Sequence, residues 1–341
     1  MSDALRLQAI GCERLGSRLY ARLLHEMLRD HDAGGVTANL LDGRSDRPVH
    51  DAIPLRLLGA VHRIVLRGDA PGLAALYPSA GGTDDGRPLL PLFLAVVDEH
   101  SDEVERGMAL GVQTNEVGRA AVLVGGFALL ARRFGLPLDL LEIGGSAGLL
   151  LRWDAYRYET PTAALGDPAS PVRFDDVWVT PPPLSETVVR ERRACDAAPL
   201  DATDPDARLT LLSFVWPDQH ARFTRLHDAL ELAAERPVVI DRADAGDWLG
   251  IHLPVRQAGA TTVVYHSIVW QYLSRETKAA VRAALAEAGA DASPSSPLAW
   301  LRMEPAGPVA DLRLTTWPSG SEELLATASY HGADVDWLAG S

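Results

Sequence analysis

A short apolar run that ends in glycines constrains this chain most. Leu138-Asp139-Leu140-Leu141-Glu142-Ile143 leads directly into Gly144-Gly145-Ser146-Ala147-Gly148. The run has the length and composition of a buried strand. A strand that turns sharply through glycines into a helix-capable stretch, here Ala147 to Tyr156, leaves backbone N–H groups facing a crevice at the carboxyl edge of a sheet. Tyr156-Arg157-Tyr158-Glu159 reads as the next strand. Strand, glycine turn, helix and strand together begin a parallel sheet. The same glycines also suit a tight turn with no ligand, so both readings stay open here.

The residues before this segment predict helices. Leu15, Leu19, Leu23 and Met27 recur every fourth position, as do Ile53, Leu57, Val61 and Val65. Leu92, Val96, Val104, Met108 and Val112 repeat the pattern, with His100 in one slot. Such stripes are the faces of amphipathic helices sharing one core. A further helix over about 116–134 is apolar nearly all round. After the glycine turn, 160–215 is Pro-rich and irregular, with strands expected at Val188–Arg190 and Thr210–Phe214. A helix over Gln219 to Glu235, strands at 238–241 and 261–268, a helix near 274–288 and strands at 298–304, 311–317 and 324–330 complete the reading. The expected fold class is α/β. Residues 1–135 form a helical N-terminal region, and 136–341 form a Rossmann-like sheet domain with an insertion at about 160–235.

Composition narrows the function classes. The net charge of −14 opposes phosphate binding, so a nucleic-acid partner is not expected. Two cysteines, Cys12 and Cys195, rule out a disulfide framework and any CxxC zinc site. The N-terminus lacks an apolar signal core, and the apolar run Ala120 to Ala131 is too short for a bilayer. A soluble, cytoplasmic protein with a small-molecule substrate and no membrane partner is expected.

The segment Leu-Glu-Ile-Gly-Gly-Ser-Ala-Gly-Leu resembles the first motif of class I S-adenosylmethionine-dependent methyltransferases. That resemblance implies a methyltransferase-type sheet and S-adenosylmethionine as cofactor. It places Glu142, Gly144, Gly145, Ser146 and Gly148 around the methionine part and Glu159 on the ribose. Asp244, in Asp241-Arg242-Ala243-Asp244, matches the acidic position that meets the adenine. The middle glycine of the family pattern is Ser146 here. Over nearly its full length the chain is also similar to the bacterial domain-of-unknown-function family numbered 2332. Gln113-Thr114-Asn115-Glu116-Val117-Gly118-Arg119, the glycine loop, Arg193-Ala194-Cys195-Asp196, Phe214-Val215-Trp216-Pro217-Asp218-Gln219 and His331-Gly332 carry that likeness.

Two polar clusters are candidates for substrate contact. Asn115, Glu116 and Arg119 either close the crevice or cap a helix start. Trp216, Asp218, Gln219, Arg222 and Arg225 either hold an anionic substrate through guanidinium forks or make a capped helix start with solvated arginines. Asp218, His220 and His227 are metal-ligating types without a metal-site spacing, and no metal is expected. His266, after the most β-branched strand, is a candidate general base, since an unperturbed imidazole pKa of about 6.5 suits proton removal. A hydrogen-bonded core histidine has the same sequence signature.

The leading expectation is methyl transfer to a small anionic metabolite. A second is a methyltransferase-like fold that catalyses a different substitution or cyclisation, or only binds a ligand. A third is a serine hydrolase, because Gly144-x-Ser146-x-Gly148 also fits a nucleophile elbow, with Asp244 or Asp311 and His331 completing a triad.

Overall fold

The computed structural model describes residues 1–339. The chain divides into two compact units, one of Met1–Thr114 with Asp204–His227, the other of Asn115–Thr203 with Asp228–Ser341.

The first unit is helical. It holds α1 (Ser2–Arg14), α2 (Arg18–Asp32), α3 (Val36–Leu41), α4 (Ile53–Arg67), α5 (Pro71–Ala74), α6 (Leu90–Glu99) and α7 (Ser101–Ala109). The apolar stripes become its core: Leu19, Leu23, Met27, Leu57, Val61, Val65, Val104 and Met108 are buried together. Local signals set the ends. The Ser17 hydroxyl accepts from Tyr20 N at the start of α2, and Gly68 closes α4 in the left-handed region. The stripe from Leu92 to Val112 is two helices, because the chain breaks at His100.

The second unit begins with α8 (Ala120–Phe134) and β1 (Leu138–Ile143), followed by β2 (Arg157–Glu159), β3 (Ala164–Leu165), β4 (Arg173–Phe174), β5 (Trp178–Thr180) and β6 (Val189–Asp196). Then α9 (Pro205–Ser213) belongs to the helical unit, and α10 (His220–Glu235) starts there and ends in the second. The second unit continues with β7 (Val239–Arg242), α11 (Ala245–His252), β8 (Thr261–Ser267), α12 (Arg275–Ala290), β9 (Leu298–Ala306), β10 (Val309–Trp317), β11 (Ser321–Ala328) and β12 (Val335–Trp337).

Nine strands form one mixed sheet in the order β5-β12-β11-β10-β9-β8-β1-β6-β7. The five strands β9-β8-β1-β6-β7 are all parallel, and β9, β10, β11 and β12 run antiparallel to one another in sequence. The order of the parallel strands therefore reverses beside β1. One face carries α11 and α12 over Leu141, Ile143, Cys195, Val264 and Leu298. On the other face α8 meets Tyr265 of β8: Phe127 lies edge-on to Tyr265 at 5.2 Å and stacks on Trp153 at 4.6 Å. Leu301 occupies the space that a side chain at Gly126 of α8 would need.

Several expectations change. The strand after the glycine turn, Arg157–Glu159, lies in a separate three-stranded sheet, β3-β2-β4. The neighbour of β1 is β6, taken from within the expected insertion, with Glu142 opposite Ala194 and Ile143 opposite Cys195. Ala147 to Tyr156 contains a 3-10 segment, Leu150–Ala155, in place of an α-helix. Thr210–Phe214 falls in and after α9, which Asp204 caps and Pro205 starts, a helix-start signal that outweighs the apolar run. The unit boundary falls after Thr114 rather than 135, because α8 is apolar all round and packs on β8, β9, β10 and β11.

Candidate functional site

The carboxyl ends of β1, β6, β7 and β8 bring several family motifs to one edge of the sheet. The turn after β1 is anchored internally. Gly144 N and Gly145 N both donate to Cys195 O, at 2.8 and 3.0 Å, and Ser146 N donates to Asp196 Oδ2 at 2.9 Å. Asp196 Oδ1 accepts from Ala198 N at 2.8 Å, and Ser146 O accepts from Leu200 N at 3.1 Å. Asp196, at the end of β6, thus holds the glycine loop against the loop after its own strand.

The glycines are required by close packing. A Cβ on Gly144 would lie 2.5 Å from Val269 Cγ2, one on Gly145 2.6 Å from Ala194 Cβ, and one on Gly148 2.8 Å from Val238 Cγ2. Gly144 and Gly148 also take positive φ, as does the non-glycine Ser146 at 51°. Asn115 (φ 34°) and Ile268 (φ 51°) share that backbone region. Three of the non-glycine residues so placed therefore belong to this edge, where strained backbone is held by its surroundings.

The cluster at 115–119 joins the loop. The Asn115 side chain accepts from Leu149 N at 3.0 Å, and buried Glu116 accepts from Gly118 N at 3.0 Å. Arg119 donates to the carbonyls of Ser267 and Tyr330 at 3.0 and 3.1 Å. Gly118 and Gly332 approach so closely that a side chain on either would strike the other segment's backbone. The glycine loop, the 115–119 segment and His331-Gly332 are thereby assembled in one place.

Beneath the loop lies Glu142, only 1% exposed, whose Oε2 accepts from Tyr265 OH at 3.1 Å. Burial pushes its carboxyl up to about 8, against the lowering effect of that hydrogen bond. Beside the loop, Arg152 is 3% exposed and is held by carbonyls: Nε donates to Arg236 O at 2.7 Å, Nη1 to Gly148 O at 2.7 Å and Ala147 O at 3.2 Å, and Nη2 to Ala233 O at 3.4 Å. Desolvation lowers the pKa of this guanidinium. Arg152, Ala147, Leu200, Thr203 and Ile240 line part of a cavity of about 340 Å³.

Other sequence candidates lie elsewhere or are engaged. Glu159 sits in the small sheet, accepting from Arg157 at 2.9 Å and Arg173 at 2.8 Å. Asp244 caps α11 through Gly246 N at 2.8 Å, and its other oxygen accepts from Thr277 Oγ1 at 2.6 Å. Asp311 pairs with Arg313 at 2.8 Å, so both carboxylates named for a serine triad have other partners. Trp216, Asp218, Gln219, Arg222 and Arg225 belong to the helical unit. There Asp218 accepts from Ser17 Oγ at 2.5 Å and Leu19 N at 2.9 Å. Gln219 donates to Leu15 O at 2.6 Å and accepts from Arg222 at 2.9 Å, and the Arg222 guanidinium lies 5.6 Å from the ring centre of buried Trp216. His266 is fully buried, with Nδ1 2.7 Å from Glu304 Oε1.

Sequence reasoning missed Asp196, Arg152, Tyr265 and Glu304 as site residues. Asp196 carried a signal, an acid ending an apolar Ala-Cys pair; Tyr265 and Glu304 become neighbours of the edge only through the sheet order, and Arg152 through the 3-10 segment that follows the loop. Both cysteines are buried, and desolvation pushes each thiol up to about 12. Among the described residues, no group of three His, Cys, Asp or Glu side chains is placed to hold a metal ion, and no helix is long and apolar enough to cross a membrane.

These features define an α/β protein whose parallel strands end in an internally braced glycine loop. The chain belongs to the family described as an uncharacterized protein conserved in bacteria, DUF2332, whose model matches residues 2–337. No curated protein and no solved structure matches it.

Proposed function

We propose that the second unit binds S-adenosylmethionine at the carboxyl edge of its parallel strands and serves methyl transfer to a small anionic metabolite. The observation that carries this reading is the position of the glycine loop, at the end of β1 where the strand order reverses, because ligands of open α/β sheets bind at that crevice. Asp196, at the end of neighbouring β6, replaces Glu159 as the ribose partner. Each of its oxygens accepts one backbone N–H, which leaves lone pairs for a ribose diol. The cofactor supplies an electrophilic methyl group when bound. The protein's part is to orient the reactants and exclude water, with the braced loop and Asp196 giving a rigid platform.

The packing of Gly144, Gly145 and Gly148 against Val269, Ala194 and Val238 favours a second reading, in which the same edge takes a smaller ligand and methyl transfer is absent. Calorimetric titration with S-adenosylmethionine and S-adenosylhomocysteine separates the two. Micromolar binding that Asp196→Asn weakens about tenfold or more supports the cofactor reading. Failure of well-folded protein to bind either compound would transfer the assignment to the second.

A further inference from the structure

On β8, β9 and α12 a second constellation adjoins the glycine loop, with Val269 packed against Gly144. Glu304 Oε1 is a hub: it lies 2.7 Å from His266 Nδ1 and accepts from Val269 N at 3.1 Å and Trp270 N at 3.2 Å. A carboxylate only accepts, so Nδ1 carries the hydrogen. These bonds hold the turn after β8, which contains Ile268 at φ 51°, a position costly for a β-branched residue. The turn places Trp270 flat against His266 at 5.3 Å, and Trp300 packs 5.6 Å from Trp270.

Three buried polar atoms here have no partner among the described residues: His266 Nε2, Glu304 Oε2 and Trp300 Nε1. Native interiors satisfy such atoms, and a cluster of exceptions marks a place where something else completes the bonding. Trp270, Trp300 and Glu304 line a cavity of about 290 Å³ with Arg282, Arg302 and Glu322. Arg302 is committed to Glu322 and to Thr315 Oγ1, and it stacks on Trp300 at 4.2 Å. Arg282 is exposed, rests 5.1 Å from the centre of the Trp270 ring, and has no carboxylate partner among the described residues.

We propose that this cavity is a binding site for a small hydroxylated carboxylate with an apolar body. The ligand's carboxylate meets Arg282, its hydroxyl donates to Glu304 Oε2 after a shift of the side chains that cover that atom, and its apolar part lies against the two indoles. His266 is a positioning residue, acting through Glu304. The proposal does not depend on which cofactor the glycine loop takes.

The test uses the full-length protein and two probes, 3-hydroxybenzoate and benzoate, which differ only in the hydroxyl. Titration calorimetry is expected to show 3-hydroxybenzoate binding at least about tenfold more tightly, as one hydrogen bond to a charged group predicts. Glu304→Gln should abolish that preference, and Arg282→Ala, at an exposed position that leaves the fold intact, should weaken both probes. His266→Ala should lower the preference and His266→Asn, which retains a donor toward Glu304, should restore part of it, a rescue that loss of packing alone would not produce. Equal binding of the two probes, no binding of either at millimolar concentration to folded protein, or unchanged binding in Arg282→Ala would overturn the proposal.

Discussion

Glu142 shows how a single residue couples the core to pH. Its carboxyl is raised from 4.5 to about 8 by burial, so the folded chain keeps it protonated where the unfolded chain ionises it. The native state then binds more protons than the unfolded state between those values, and this contribution to stability falls as pH rises through that window. Glu142→Gln keeps an acceptor for Tyr265 and removes the ionisation. It is expected to unfold at a higher temperature than the parent at pH 8 and at nearly the same temperature at pH 4.5, as followed by circular dichroism. An unchanged difference across that range would show that Glu142 does not titrate as its burial dictates. Gly118 makes the opposite point, since it is demanded by geometry alone. A Cβ there strikes His331 O, so Gly118→Ala should cost on the order of 3 kcal/mol through overpacking against backbone, measured by urea unfolding.

At the scale of elements, Arg152 ties the end of the glycine loop to the end of α10. Its guanidinium reaches two carbonyls of the loop and two near the helix end, a span that one ammonium cannot reproduce. Arg152→Met leaves those carbonyls without their donor, at roughly 1–3 kcal/mol for such a buried loss. Arg152→Lys is expected to recover little of it. The urea midpoint should fall in both variants with the slope unchanged; recovery of the parent midpoint by lysine would mean that charge matters there and the fork does not. The pairing of β6 with β1 belongs to the same scale. It puts Asp196 beside the loop and leaves Glu159 bonded to two arginines in another sheet.

For the whole molecule, the chain's return to the helical unit is the feature with the widest consequence. Residues 204–227 give that unit Trp216 in its core, Phe214 against Gly59, and Asp218 on Ser17 and Leu19. The Asp218 contacts cap the start of α2, and the Phe214 ring fills space that any side chain at position 59 would occupy. A fragment ending at Thr114 therefore lacks part of its own core. It is expected to show no cooperative thermal transition, whereas the full chain shows one or two; a sharp transition in the fragment would mean that 204–227 is dispensable.

Much of the helical unit was legible in the sequence, because its stripes repeat every fourth residue and helix periodicity is a local property. The strands at 138–143, 239–242, 261–267 and in the tail were legible for the same reason, as was the glycine turn. Sequence alone also bounded the charge, the absence of a disulfide framework and the family likeness. Strand order was not legible: Tyr156–Glu159 and Val188–Arg190 both read as strands, and only pairing energy across the sheet selects which one lies beside β1. The role of Asp196 follows from that choice. Partners distant in sequence leave no periodic trace, so tertiary packing alone decided which of the polar residues share a site.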